Sequence, residues 1–200
     1  MMMQRDHRPG IMVWTVSMAV GCLACTAAEP DPLVSSTPDT GSLVGGHAGV
    51  AGGLRWTAPA AWTPAEAAPM RAASYRVPGG PGEPGDIDIS VSFFPGAGGG
   101  EEANLARWTG QFRSPVGGPP EGVISGNTRV AGFPVATLDV SGTYQGGPRG
   151  GGPFPGYRLF AAIVQGPQGP VFFKMVGPAG GVDRAKSGFD AMLHSVTAAP

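Results

Sequence analysis

Residues able to act as nucleophiles, bases or metal ligands are scarce in this 200-residue chain, which holds two cysteines and three histidines. His7 and His47 lie near the N-terminus; only His194 falls in the better-patterned remainder, at the end of the last helical segment, where a solvated side chain fits best. Gly122-Val123-Ile124-Ser125-Gly126 carries its serine one place later than a G-x-S-x-G elbow requires, which disfavours a Ser-His-Asp hydrolase. Asp86, Asp88 and Ser90 begin like a calcium loop, but Val91 stands where that loop needs Gly and Ala97 where it needs Glu. Their spacing suits the wet face of a strand instead. No His/Cys cluster exists for zinc, so no metal site and no cofactor is expected. Gly96 to Gly100 leads into a helix, but Glu101 and Glu102 in its first turn repel a phosphate, and Lys174 and Lys186, the only lysines, lie outside any P-loop. A carboxylate-dependent hydrolase would need a concave site lined by two of Glu66, Glu83, Asp139 and Arg158. The stretch that stands out is Asn104 to Phe112: Leu105, Trp108 and Phe112 at i, i+3 and i+7 make an apolar stripe, with Asn104, Arg107 and Gln111 beside it. That face either pins a helix to a sheet or, with Trp108, meets a ligand.

The cysteines, Cys22 and Cys25, carry a different chemistry. Arg5 and Arg8 precede an apolar run from Ile11 to Gly21, too short to span a bilayer and of the length of an export signal. Ala19-Val20-Gly21-Cys22 is similar to the bacterial pattern in which a cysteine receives lipid, with Ala19 where Leu is usual; Cys25 is the alternative acceptor. Cleavage further on, after Thr26-Ala27-Ala28, leaves a secreted soluble chain, and a CxxC redox pair would belong inside a folded unit. A lipidated Cys22 anchors the chain stably, and Leu23, where Asp would signal inner-membrane retention, favours the outer membrane. The expected location is therefore the cell membrane or outer membrane, facing the periplasm or exterior.

Gly (35) and Pro (22) make up over a quarter of the residues, but 42% of the chain is hydrophobic and its net charge is only -1, which excludes wholesale disorder. The glycines lack the triplet period of collagen. Residues 1–25 read as signal and residues 26–53 as a flexible Pro/Gly/Ser spacer without Lys or Arg, reaching on the order of 25–30 Å. Residues 54–198 form one domain. From Gly53 onward eleven Lys and Arg meet ten Asp and Glu, so the basic surplus that nucleic acid demands is missing.

Within that domain, Asp86 to Phe93 alternates polar and apolar residues at every step, as does Val135 to Ser141, which points Ala136, Leu138 and Val140 inward. Tyr157 to Gln165 and Val171 to Val176 flank the turn residues Gly166 to Pro170 and read as a hairpin. Leu54 to Thr57, Met70 to Val77 and Gly122 to Val130 are weaker strand segments. Glu101 to Phe112 and Val182 to Val196 have helical spacing. Between these elements the Gly and Pro gather into loops, of which Gln145 to Gly156 is a candidate binding surface. The pattern predicts an α+β domain with a central antiparallel sheet of about five to seven strands flanked by two helices.

Trp56-Thr57-Ala58-Pro59-Ala60-Ala61-Trp62, Met70 to Tyr75, Asn104 to Phe112, Phe173 to Pro178 and Phe189 to Val196 together resemble a group of uncharacterised bacterial exported proteins and lipoproteins. The group is similar to PsbP-like domains, which implies an antiparallel sheet sandwiched by helices. No activity and no catalytic residue come with it. The expected role is a membrane-tethered, non-catalytic binding or accessory domain of the cell envelope, with an envelope protein as partner and no nucleic acid; the alternative is the small carboxylate-dependent hydrolase.

Overall fold

The computed structural model describes residues 43–200 apart from 67, 97 and 147–150, so the signal, both cysteines and most of the spacer lie outside the described residues. The strands are β1 (His47–Ala51), β2 (Leu54–Ala58), β3 (Thr63–Pro64), β4 (Ala73–Val77), β5 (Ile87–Phe93), β6 (Phe112–Arg113), β7 (Ile124–Val130), β8 (Phe133–Tyr144), β9 (Phe154–Gly166), β10 (Gly169–Pro178) and β11 (Thr197–Ala198). Helix α1 (Glu101–Thr109) lies between β5 and β6, and α2 (Ala179–His194) between β10 and β11. The main sheet has eight strands in the order β3-β4-β5-β10-β9-β8-β6, with β7 also on β8, and every pairing is antiparallel. Two of the eight, β3 and β6, are two-residue pieces too short to leave a period in the sequence, and the six longer strands fall in the expected range.

Strict alternation gives this sheet two different faces. Ile87, Ile89 and Val91 of β5, Val171, Phe173 and Met175 of β10, and Ala162 and Val164 of β9 point one way and pack against Val182, Ala185, Phe189 and Met192 of α2 and Leu54 and Trp56 of β2. Each of the buried Val, Leu, Ile, Phe and Met side chains among them stabilises by about 1.5–3 kcal/mol. The Trp56 indole meets Phe173 edge-on with centroids 5.5 Å apart and donates from Nε1 to Tyr75 Oη at 3.1 Å, so its polar edge is satisfied inside the core. The opposite face carries Ala136, Leu138 and Val140 of β8, Leu159, Ala161 and Ile163 of β9 and Phe172 of β10, covered by Trp108 and Phe112.

Two expectations are corrected. The spacer does not run to Gly53: β1 pairs with β2 residue by residue, His47 opposite Ala58 and Ala51 opposite Leu54, and with β11 they form a second, three-stranded sheet. Gly52 and Gly53, at φ 60° and 75°, supply the two left-handed residues of the tight hairpin turn. The weakly apolar His47-Ala48-Gly49-Val50-Ala51 hides this strand among spacer-like residues. The second correction concerns α1, which ends at Thr109. Gly110 donates its amide to Ala106 O, and Phe112 has left the helix to pair with Tyr144.

Candidate functional site

Helix α1 covers the second face above β8, β9 and Phe172 of β10. Over β4, β5 and the Lys174 part of β10 the same face turns polar: Lys174 stands opposite Ser90 in the β10–β5 register, and Ser90 opposite Ser74 in the β5–β4 register. The uncovered part is a cavity of about 540 Å³, with Asp86, Asp88, Ser90 and Ser92 on its floor, the segment Pro69-Met70-Arg71 at one side and α1 at the other. Met70 is exposed and holds φ 69°, an uncommon conformation for a residue with a side chain.

Three of the four residues singled out in the Asn104 to Phe112 stretch line this cavity: Arg107 and Trp108 of α1, and Gln111 just after it. Asn104 does not. Its buried amide donates from Nδ2 to the carbonyls of Gly98 (2.6 Å) and Gly100 (2.9 Å), and its Oδ1 accepts from Arg107 at 2.6 Å. It thus ties the Gly-rich turn to the helix and aims the Arg107 guanidinium, which lies 5.9 Å from the Trp108 ring centroid. Trp108 meets Phe172 edge-on at 6.1 Å, Phe94 meets Phe172 at 5.8 Å, and Tyr144 stacks on Tyr157 with planes 7° apart. All five rings line the cavity.

The charges are arranged unevenly. Arg71 grips both carboxylate oxygens of Asp88, at 3.0 and 2.8 Å, a bidentate geometry that uses up both groups. Asp86 lies 3.6 Å from Arg76. Lys174 has only a neutral partner: its Nζ donates to Gln111 Oε1 at 2.9 Å and stands 5.7 Å from the Tyr144 ring centroid. Burial, and after it the Arg107 guanidinium, pushes its ammonium down to about 8; Asp88 pulls the other way and Arg71 pushes further down. Burial also raises the Tyr144 hydroxyl, with Asp88 adding to the effect and Arg71 opposing it.

The carboxylates required for a hydrolase do not converge. Asp139 is gripped by Arg158 at 2.7 and 2.5 Å, and Arg158 also pairs with Asp183 of α2, on the face away from the cavity. Glu83 is gripped by Arg184, both contacts at 2.7 Å, and this pairing holds its carboxyl below the usual range. Glu66 is exposed, and none of the four residues lines the cavity. His194 is exposed with Nδ1 2.7 Å from the Asp190 carbonyl. Among the described residues no three His, Cys, Asp or Glu side chains gather as a metal site, and no helix is long and apolar enough to cross a membrane. The Gln145 to Gly156 loop includes 147–150, outside the described residues; its flanking Tyr144 and Tyr157 do line the cavity.

Sequence reasoning missed Lys174 and Arg71. Lys174 did leave a signal, as the one charge in the apolar run Val171 to Val176, at a position that shares a face with Phe172 and Val176. Fold and cavity together define an α+β domain with an amphipathic pocket between its antiparallel sheet and a short helix. The chain is similar to cyanobacterial PsbP from Synechocystis sp. PCC 6803, with 16% identity over 74% of this chain and 88% of that one and a TM-score of 0.47. It is also similar to a Pseudomonas aeruginosa protein of unknown function (10% identity, 73% of this chain and 92% of that one, TM-score 0.44). A third similarity is to LpqN of Mycobacterium tuberculosis, involved in cell envelope biogenesis (14% identity, 74% and 83%, TM-score 0.44). No protein-family model and no curated protein matches the sequence.

Proposed function

We propose that the protein is a membrane-tethered, non-catalytic binding domain of the bacterial cell envelope, which holds a small molecule between α1 and the sheet and serves an envelope protein as accessory. The observation that carries this reading is the half-covered second face. A sheet face left open in a monomer is ordinarily polar throughout, whereas this one sinks into a cavity of about 540 Å³ walled by five aromatic rings. Its volume and its mix of apolar walls with a few placed polar groups are those of small-ligand sites. Catalysis has no comparable support: among the described residues neither Ser90 nor Ser92 hydrogen-bonds Lys174, and the two carboxylates in the cavity, Asp88 and Asp86, are engaged by Arg71 and Arg76. Tethering rests on the signal, Cys22 and the spacer.

Native mass spectrometry on the chain extracted from its own membranes tests both halves. The expected species carries the mass of a lipidated Cys22 and one further small molecule, which Ser90→Trp, a cavity-filling change, expels. A free N-terminal amine at Ala28 or Glu29 would overturn the tether, and a chain that never retains a ligand would overturn the binding role.

A further inference from the structure

We infer that the cavity selects an anionic amphiphile, a planar apolar body ending in a single carboxylate or sulfonate, whose anion pairs with Lys174 while its body lies among Trp108, Phe172 and Tyr144. This rests on the reading of the cavity as a ligand site and adds the chemistry of what enters it.

The cavity holds unmatched charge. A buried cation is ordinarily paired, because desolvation without a counterion is costly. Arg71 has Asp88 as its counterion, and Asp86 has Arg76. Among the described residues Lys174 has no carboxylate within ion-pair distance, and the Arg107 guanidinium beside it is held by a neutral amide oxygen. Two cations on the cavity wall thus lack an acidic partner, and an anion entering there meets two donors that the fold leaves electrostatically open. A cationic ligand finds no such vacancy, since the carboxylates on the floor are already engaged. The rings decide the body: edge-on Trp108 and Phe172 and the parallel Tyr144 and Tyr157 present flat, rigid surfaces, which favour a planar ring system over a flexible chain.

The test uses two dyes with the same ring body on the full chain, 1-anilinonaphthalene-8-sulfonate and the uncharged N-phenyl-1-naphthylamine. A hydrogen bond to a charged group corresponds to roughly a tenfold or greater preference for the sulfonate. Lys174→Met should cut that preference several-fold, to what Arg107 alone supplies, and leave the uncharged dye's affinity unchanged, and Ser90→Trp should release both dyes. In the wild type the sulfonate's affinity should fall about tenfold as pH rises from 7 to 9.5, through the value near 8 at which Lys174 loses its proton; Lys174→Arg should hold it level. The charged and titratable groups facing Lys174 are Asp88 on β5, Asp86 just before it, Arg71 before β4, Arg107 on α1, Tyr144 on β8 and Tyr157 on β9; Lys174→Arg keeps all of them, so its comparison with the wild type isolates Lys174.

Equal affinity for the two dyes, or an equal loss of both in Lys174→Met, overturns the anion preference and leaves the cavity as a ligand site. Failure of both dyes to bind, or retention of the sulfonate by Ser90→Trp, removes the site reading together with the proposal. Should Lys174→Met fail to fold, the pH dependence of the wild type against Lys174→Arg decides alone.

Discussion

Lys174, on the central strand of the main sheet, donates from Nζ to Oε1 of Gln111 at 2.9 Å, joining the floor of the cavity to the residue at which the chain steps off α1. Gln111 is fixed for this by its own backbone, whose amide donates to Trp108 O and whose carbonyl accepts from the Gln145 amide. An amide oxygen can orient an ammonium but cannot neutralise it, so the folded protein carries a cation that destabilises it.

The first prediction follows from that cost. The folded value of Lys174 lies at about 8, below the 10.5 of a free lysine. Between those values the unfolded chain binds a proton that the folded one lacks, so stability rises with pH across that window, and below about pH 8 the full penalty is present. Lys174→Met should therefore stabilise the domain by about 1 kcal/mol at pH 7, with the gain shrinking towards pH 9.5. Urea unfolding at both pH values measures it, and a Met variant less stable than wild type at pH 7 would contradict it.

Asn104 makes a contrasting prediction, because its role is structural. Asn104→Ala removes the donor to two carbonyls of the Gly98 to Gly100 turn and frees Arg107 from its acceptor. A loss of about 1–2 kcal/mol is expected, together with faster amide exchange across Glu101–Thr109 and unchanged exchange in α2, which packs on the other face of the sheet. Asn104→Asp should fare no better, since it places a carboxylate against the same two carbonyl oxygens.

These residues show how far the sequence could be read. Alternation in Asp86 to Phe93 located β5 because each of its residues meets one of two chemically distinct faces, and the sheet and both helices were legible on the same ground. That one polar row was the floor of a cavity was not legible: Asp88 and Ser90 look the same whether water or a ligand covers them. What distinguishes them is the tertiary placement of α1, which stops at Thr109 and leaves β4, β5 and the Lys174 part of β10 uncovered. Arg71 was invisible for a related reason, since its meaning comes from Asp88, seventeen residues away in sequence. Trp108 and Gln111 were found, because helical spacing places them locally.

Arg158 is predicted to matter for stability and not for binding. It grips Asp139, whose side chain is only 14% exposed, and reaches Asp183 on α2. Arg158→Ala strands a largely buried carboxylate, and a loss of about 2–3 kcal/mol is expected. Arg158→Lys should recover only part of it, because one ammonium cannot reproduce the two-pronged contact. Dye affinity should be unchanged in both variants at temperatures where they are folded; a large drop in affinity would mean that the two faces of the sheet are coupled.

The last prediction tests where the domain begins. Gly49 stands directly opposite Trp56 across the β1–β2 ladder, and a Cβ there would lie 2.3 Å from Cζ2 and 2.4 Å from Cε2 of the indole. The ring has no room to retreat, because it is 2% exposed, hydrogen-bonded to Tyr75 and edge-on against Phe173. The added methyl must therefore displace β1 itself. If β1 were the loose end of a spacer, Gly49→Ala would be silent or slightly stabilising, since alanine restricts the unfolded chain more than glycine does. If β1 is a working strand, the overpacking should cost about 1–3 kcal/mol, and the amides of His47–Ala51 should lose their protection from exchange ahead of the rest of the domain. Hydrogen exchange followed by mass spectrometry separates the two outcomes, and a stable, fully protected Gly49→Ala variant would return residues 47–51 to the spacer.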